Sequence, residues 1–276
     1  MLGAIIGDIV GSRFEFDNHK SKNFSLFGGD GINHARCEYT DDSVMTVAVA
    51  DALLGRSAGE DDGVFRDRLI GRMHYHGKNR LYAGYGTRFF FWIKDGLSEP
   101  YYSWGNGSAM RAAPVGWVSD SLAETERLAK LTAEVTHNHP EGIKGAQAVA
   151  AAIWMARSGQ SKDQIRKYIE KNYYPEAFRK SLDEIRPTYG FDESCQGTVP
   201  EALTAFYESD SFEDALRNAV SLGGDSDTLA DITGGIAEAY YGIPDEIRRE
   251  AMEFLDDEMR GIAGRFAEVF QKKCTE

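Results

Sequence analysis

Leu222-Gly223-Gly224-Asp225-Ser226-Asp227-Thr228-Leu229-Ala230-Asp231 leads into a run of small and apolar residues, Ile232 to Tyr241. The run has helical character, so Asp225, Asp227 and Thr228 stand at its start. An earlier stretch has the same design. Tyr39-Thr40-Asp41-Asp42-Ser43 precedes the apolar run Val44 to Leu54. Two acidic helix starts, far apart in the chain, each feed a helix too apolar to lie on a surface.

Helix capping is the simplest account of each start taken singly. Asp, Ser and Thr are preferred caps, and first-turn carboxylates suit the positive end of the helix dipole. One cap needs one oxygen, however, and each start supplies three or more. If the two helices share a core, their starts can meet there. Four carboxylates would then converge where like charges repel and desolvation is costly. A hard divalent cation relieves both problems. Oxygen-only ligands point to Mg²⁺ or Mn²⁺ rather than Zn²⁺.

The bulk numbers leave room for that reading. At 276 residues the chain is long enough for a sizeable buried core, and 42% hydrophobic content marks a folded globular protein. Basic residues number 31 against 44 acidic, a net charge of −13, which excludes duplex DNA held by phosphate contacts. A small anionic ligand is compatible if metal ions and backbone N–H groups neutralise it locally. Cys37, Cys195 and Cys274 form no CxxC pair and no disulfide framework, which suits a reducing compartment and a cytoplasmic location. The N-terminus lacks a basic leader segment and contains Asp8, and no apolar run approaches a membrane span.

The rest of the chain reads as helices. Met1 to Gly11 is a short buried helix, and the spacing of Gly3, Gly7 and Gly11 marks close helix packing on one face. Glu15 follows, between Phe14 and Phe16. A carboxylate in an apolar setting has its pKa raised and can act as an acid or base. The alternative is an exposed Glu whose aromatic neighbours face the core. Asp17 to Glu38 is a polar loop. Val64 to His76 is amphipathic, with Phe65, Leu69 and Met73 on one face. His74 and His76, two apart, face different sides and make poor paired ligands.

Tyr82 to Thr87 is a Gly-rich turn that does not fit a dinucleotide fingerprint. Trp104-Gly105-Asn106-Gly107-Ser108-Ala109-Met110-Arg111 is small enough for close approach to a ligand, with backbone N–H groups offered to phosphate. An ordinary Asn-Gly turn explains it equally well. Further helices are expected over Leu122–Thr136, Glu141–Ala156, Ser161–Asn172, Ala177–Ile185, Thr198–Tyr207, Phe212–Ser221, Pro244–Leu255 and Asp256–Phe270. His137 and His139 flank a turn and read as satisfied structural histidines. No stretch reads as an alternating strand, so the pattern is all-α, one domain over 1–276.

Taken together, these stretches resemble the ADP-ribosylglycohydrolases, the group that includes the dinitrogenase-reductase-activating glycohydrolase. The carriers are Gly3-Ala4-Ile5-Ile6-Gly7-Asp8 through Glu15, Thr40-Asp41-Asp42, Gly105 to Arg111, and Gly224-Asp225-Ser226-Asp227-Thr228. Each is weak alone, but the ordered set spans most of the chain. The resemblance implies a compact orthogonal all-α helix bundle with two Mg²⁺ or Mn²⁺ ions. It makes Thr40, Asp41, Asp42, Asp225, Asp227 and Thr228 the metal ligands. Glu15 matches the acid/base glutamate, and Asp41 joins it in the catalytic set. Asn106, Gly107, Ser108 and Met110 match the stretch that lines the ADP-ribose pocket, with Gly84, Tyr85 and Gly86 also on the substrate side. Some arginine-directed members carry an acidic residue in that last region. Gly-Tyr-Gly here looks more like the serine-directed eukaryotic branch. Some relatives lack activity or serve as lens crystallins, but the carried-over positions are all intact in this chain.

The implied reaction is metal-dependent hydrolysis of the ribose C1'' bond, N- or O-linked, on an ADP-ribosylated protein, nucleic acid or small molecule. A monomer is expected. Two other readings use the same residues: a protein that holds ADP-ribose without cleaving it, and a metal hydrolase acting on another bond of such a nucleotide.

Overall fold

The computed structural model describes residues 1–29 and 36–271. In chain order its first helices are α1 (Leu2–Ser12), α2 (Asp41–Leu54), α3 (Asp62–Asn79), α4 (Thr87–Lys94) and α5 (Gly107–Met110). Next come α6 (Val115–Val118), α7 (Leu122–Glu134), α8 (Pro140–Arg157), α9 (Lys162–Asn172) and α10 (Leu182–Ile185). The last are α11 (Cys195–Tyr207), α12 (Phe212–Val220), α13 (Ser226–Tyr241), α14 (Asp245–Ala251) and α15 (Asp257–Phe266). Among the described residues there is no strand, only an isolated bridge between Gly105 and Ser194. The all-α expectation is met. The predicted loop has no helix over 17–29 and 36–38; residues 30–35 and Cys274 lie outside the described residues.

Helix α13 is the axis of the molecule. Its residues from Ser226 to Glu238 are all buried, and α1, α8, α11 and α12 pack around it. This is where a helix without a polar face has to go. The glycine spacing of α1 supplies the closest of these contacts. A Cβ added at Gly3 would lie 2.3 Å from the Gly234 carbonyl oxygen, and one at Gly11 2.4 Å from that of Ser226. At Gly7 it would lie 1.9 Å from the Ala230 oxygen, nearer than any real Cβ contact.

Gly7→Ala therefore forces two helix backbones apart. Overpacking typically costs about 1–3 kcal/mol, and rigid backbone on both sides puts this site at the upper end. The melting temperature should fall by roughly 5 °C or more. A variant melting with the wild type would contradict the packing.

One predicted helix is shorter than its pattern. Ala177–Ile185 contains a helix only at Leu182–Ile185, opened by Ser181 and Glu184 in a reciprocal capping box. Phe178 stands at φ +62°, a left-handed conformation that an L residue in a continuing helix cannot hold. The pattern over Asp256–Phe270 likewise changes character, from α15 to a π-helical turn over Ala267–Gln271.

Candidate active site

The two acidic helix starts meet. The device that joins them is α1, which packs against both α2 and α13. Asp8, buried in α1, accepts from the Thr40 N–H (2.9 Å), the Thr40 hydroxyl (2.7 Å), the Ser43 N–H (3.0 Å) and the Ser43 hydroxyl. That fixes the start of α2. At the C-terminal end of α1 the Ser226 hydroxyl donates to the Gly11 carbonyl at 3.0 Å, which fixes the start of α13.

A cavity of about 470 Å³ opens where they converge. Its wall contains Glu15, Asp41, Asp42, Asp225, Asp227 and Thr228 from the predicted metal and catalytic set. Asn106, Gly107, Met110, Gly84 and Gly86 line it from the predicted substrate side. Three predicted residues are elsewhere. Thr40 lies on the wall of an adjoining cavity, its hydroxyl given to Asp8. The Ser108 side chain points into the core, donating to the Gly142 carbonyl at 2.7 Å. Tyr85 is half-buried against Phe89 rather than on the main wall.

The electrostatics are those of a buried acid cluster. Oxygens of Glu15, Asp225 and Asp227 lie within 4.8 Å of one another. Burial first, then Asp8, Asp225 and Glu15, push the Asp41 carboxyl well above its usual range. Burial and Asp227 do the same to Asp42, and burial and Asp225 to Asp227. Burial, Asp225 and Asp8 raise Glu15 to about 7. The apolar setting of Glu15 is not a sandwich of its neighbours. Phe14 is in the core, whereas Phe16 is 83% exposed and stacks on Phe191.

A divalent cation fits what is there. The donor set is all oxygen, as Mg²⁺ and Mn²⁺ require. The buried Asp42 Oδ1 has no hydrogen-bond partner, and neither does either oxygen of the buried Asp231. Asp231 sits one turn after Asp227 and adds its field to that on Asp42. Orphaned carboxylate oxygens are costly unless a cation or a proton answers them.

Sequence reasoning missed Asp8 and Asp231 as parts of the site. The signal was present: Asp8 is the lone acid of α1, and Asp231 stands one turn inside α13 beyond Asp227, both helices with no polar face. It also missed how the Gly105–Arg111 stretch is held. Arg111 is 1% exposed and donates to the Gly107 carbonyl (2.8 Å), the Thr132 carbonyl (3.1 Å) and the Thr136 hydroxyl (2.8 Å). Asn106 Nδ2 donates to Asp225 Oδ2 at 2.6 Å and to the Thr198 hydroxyl at 3.1 Å, so this stretch orients a cluster carboxylate. His137 is satisfied by Thr136, as a structural histidine should be, yet it lines the cavity. Burial, with Arg111 nearby, holds it well below the usual histidine range and keeps it neutral. His139 is purely structural, its Nδ1 capping α8 through the Glu141 N–H. His74 and His76 are apart from the site, bonded to Leu97 and Asp51.

The profile described as ADP-ribosylglycohydrolase matches residues 1–276. This chain belongs to the ADP-ribosylglycohydrolase family. It is 30% identical to an ADP-ribosylarginine hydrolase Tri1 of Pseudomonas putida (strain GB-1), over 88% of this chain and 70% of that protein. It is 25% identical to ADP-ribosylhydrolase ARH3 of Mus musculus, over 99% of this chain and 91% of that one. A solved structure, an ADP-ribosylglycohydrolase-related protein complex, superposes with a TM-score of 0.74 at 24% identity, covering 97% of this chain and 95% of that one. That likeness shows the fold. The family, together with relatives named as ADP-ribosyl hydrolases, marks the chain as a glycosidic-bond hydrolase. Among the described residues no helix is long and apolar enough to cross a membrane.

Proposed function

We propose that this chain frees ADP-ribose from a modified target, with two Mg²⁺ or Mn²⁺ ions at the acid cluster, by hydrolysing the ribose C1'' bond. The observation that carries the reading is the meeting of Asp41, Asp42, Asp225, Asp227 and Glu15 on one cavity wall. Asp41, Asp42, Asp225, Asp227 and Thr228 are the residues that would hold the ions, with Thr40 held behind them by its hydrogen bond to Asp8. Bound there, the ions supply Lewis acidity, which orients ribose hydroxyls and makes a water more acidic.

The chain's own groups do the rest. Glu15 holds a proton near neutral pH and can give it to the leaving group or take one from water. Asp41 works beside it in the same wall. Asn106 fixes the aim of Asp225 through its 2.6 Å hydrogen bond. Gly107 presents bare backbone to the cavity, and its N–H with that of Ser108 opens α5 without an intrahelical acceptor. Those two N–H groups are assigned to the phosphate or ribose of the ligand. The buried thiol of Cys195, which donates to the Gly105 carbonyl, fits a cytoplasmic setting.

Gly107→Val tests the pocket. A Cβ there would already lie 3.2 Å from His137 Nε2, so the larger side chain must project toward the ligand. Affinity for ADP-ribose should fall roughly tenfold or more, a loss of at least about 1.4 kcal/mol, with metal binding kept. Unchanged affinity in calorimetry would count against a pocket here.

The reaction is tested by product analysis with Arg-, Ser- and nucleobase-linked ADP-ribose conjugates, with and without Mg²⁺. Release of intact ADP-ribose from at least one conjugate, only with the ion, is expected. Binding without turnover of any conjugate would make the chain an ADP-ribose-binding protein. AMP as product would move the cleavage to the pyrophosphate. The parallel conjugates also decide the linkage. The arginine hydrolase among the relatives favours an N-linked target, and the acid-free Gly84-Tyr85-Gly86 turn an O-linked one.

A further inference from the structure

The cavity wall carries six carboxylates: Glu15, Asp41, Asp42, Glu193, Asp225 and Asp227. Against them, its described lining residues include two cationic side chains, Arg88 and Arg111. The ligand assigned to this cavity carries a diphosphate. Cations held at the acids would serve the ribose end. Beside six carboxylates, a diphosphate calls for a positive side chain in addition to the Gly107 and Ser108 N–H groups.

Arg111 is already committed. It is buried, and its guanidinium donates to two backbone carbonyls and the Thr136 hydroxyl. Arg88 is different. It is exposed, stands in the first turn of α4, and has no hydrogen bond or ion pair from its side chain to any described residue. Its field nonetheless reaches the wall: it acts on the Tyr101 hydroxyl, against the burial that pushes that phenol up to about 12. The start of α4 is also close to the acids. A Cβ on Gly84 would lie 3.4 Å from Asp41 Oδ1, and Arg88 is four residues further on. Four residues span at most about 14 Å. Arg88 therefore shares one cavity wall with the acids and lies within that span of the Gly84–Asp41 contact. Its planar fork suits a phosphate pair better than an ammonium would.

We propose that the Arg88 guanidinium binds the diphosphate of ADP-ribose. The inference rests on the ADP-ribose reading above. Phe89, which follows, is buried against Trp92 and anchors α4 in the fold, so Arg88 itself can be changed without loosening the helix.

The test is calorimetry of ADP-ribose binding in Mg²⁺ at low and moderate salt, on the wild type, Arg88→Gln and Arg88→Lys. Mn²⁺ binding and the melting temperature are measured alongside. Arg88→Gln should weaken ADP-ribose roughly tenfold, the size of one charge-assisted hydrogen bond. It should also flatten the salt dependence, while Mn²⁺ binding and melting stay at wild-type values. Arg88→Lys should recover part of the affinity and the salt dependence. If Arg88→Gln binds ADP-ribose as tightly as the wild type with the same salt dependence, the role of Arg88 is overturned and the ADP-ribose reading stands. A loss of Mn²⁺ binding or of melting temperature in step with affinity would overturn it too, marking a structural residue. If the wild type itself fails to bind ADP-ribose in Mg²⁺, the reading of the cavity falls and takes this inference with it.

Discussion

Glu15→Gln is expected to lower turnover by roughly 10²–10⁴-fold, the usual worth of general acid–base help, while ADP-ribose affinity hardly changes. Glu15 closes the short turn after α1, half-buried, with an oxygen inside the cluster formed with Asp225 and Asp227. Burial and the charges of Asp225 and Asp8 raise its pKa to about 7. A carboxyl in that range can both hold and release a proton at neutral pH. Glutamine keeps the shape and removes the titration. Binding should survive because the ligand contacts are assigned to ions held by the aspartates, to Arg88 and to the Asn106–Met110 stretch. Single-turnover kinetics on the best conjugate checks this, and wild-type turnover in the variant would refute the role.

Metal removal is expected to have the second large effect, and its pH dependence carries a distinctive sign. Asp8 is raised to about 6 and Glu15 to about 7, while Asp41, Asp42, Asp227 and Asp231 are pushed well up, in each case by burial first. Carboxyls in an unfolded chain titrate near pH 4. Between about pH 4 and 7 the metal-free fold thus holds protons that the unfolded chain has released. Its stability falls as pH rises through that window, by up to about 1.4 kcal/mol per unit for each such group. The chelated protein should therefore melt higher at pH 6 than at pH 8. Saturating Mg²⁺ should reverse the slope, because the ions bind ionised carboxylates and add stability by mass action, about 2.7 kcal/mol at one hundred times the dissociation constant. Melting curves in EDTA and in Mg²⁺ at both pH values settle it. Superimposed curves would mean that no ion binds the folded chain.

Much of this site was legible because its parts violate ordinary patterning. Asp41, Asp42, Asp225 and Asp227 stand at the starts of helices with no polar face, and such helices can only be buried. The Gly3, Gly7, Gly11 spacing announced a backbone contact, and Gly234, Ala230 and Ser226 provide it. What sequence could not show was the means by which the two starts meet. That depends on Asp8, whose four hydrogen bonds cross from α1 to residues more than thirty positions away. The roles of Arg111 and His137 were hidden for the same reason. Arg111 is defined by Thr132 and Thr136 and His137 by its place on the cavity wall, and a buried arginine cannot be told from a surface one by its neighbours in sequence. Ser108 was placed in the pocket by its position in a motif, but rotation about α5 turns its hydroxyl to Gly142. Ala177 to Ser181 shows the reverse error, a helical pattern overruled by the left-handed Phe178.

The most direct test of the account is anomalous diffraction from crystals grown in Mn²⁺. Two manganese peaks should appear within coordination distance of the Asp41, Asp42, Asp225 and Asp227 carboxylates, and both should vanish in an Asp41→Asn, Asp227→Asn double variant that still folds. Manganese absent from this cluster, or bound only elsewhere on the chain, would contradict it.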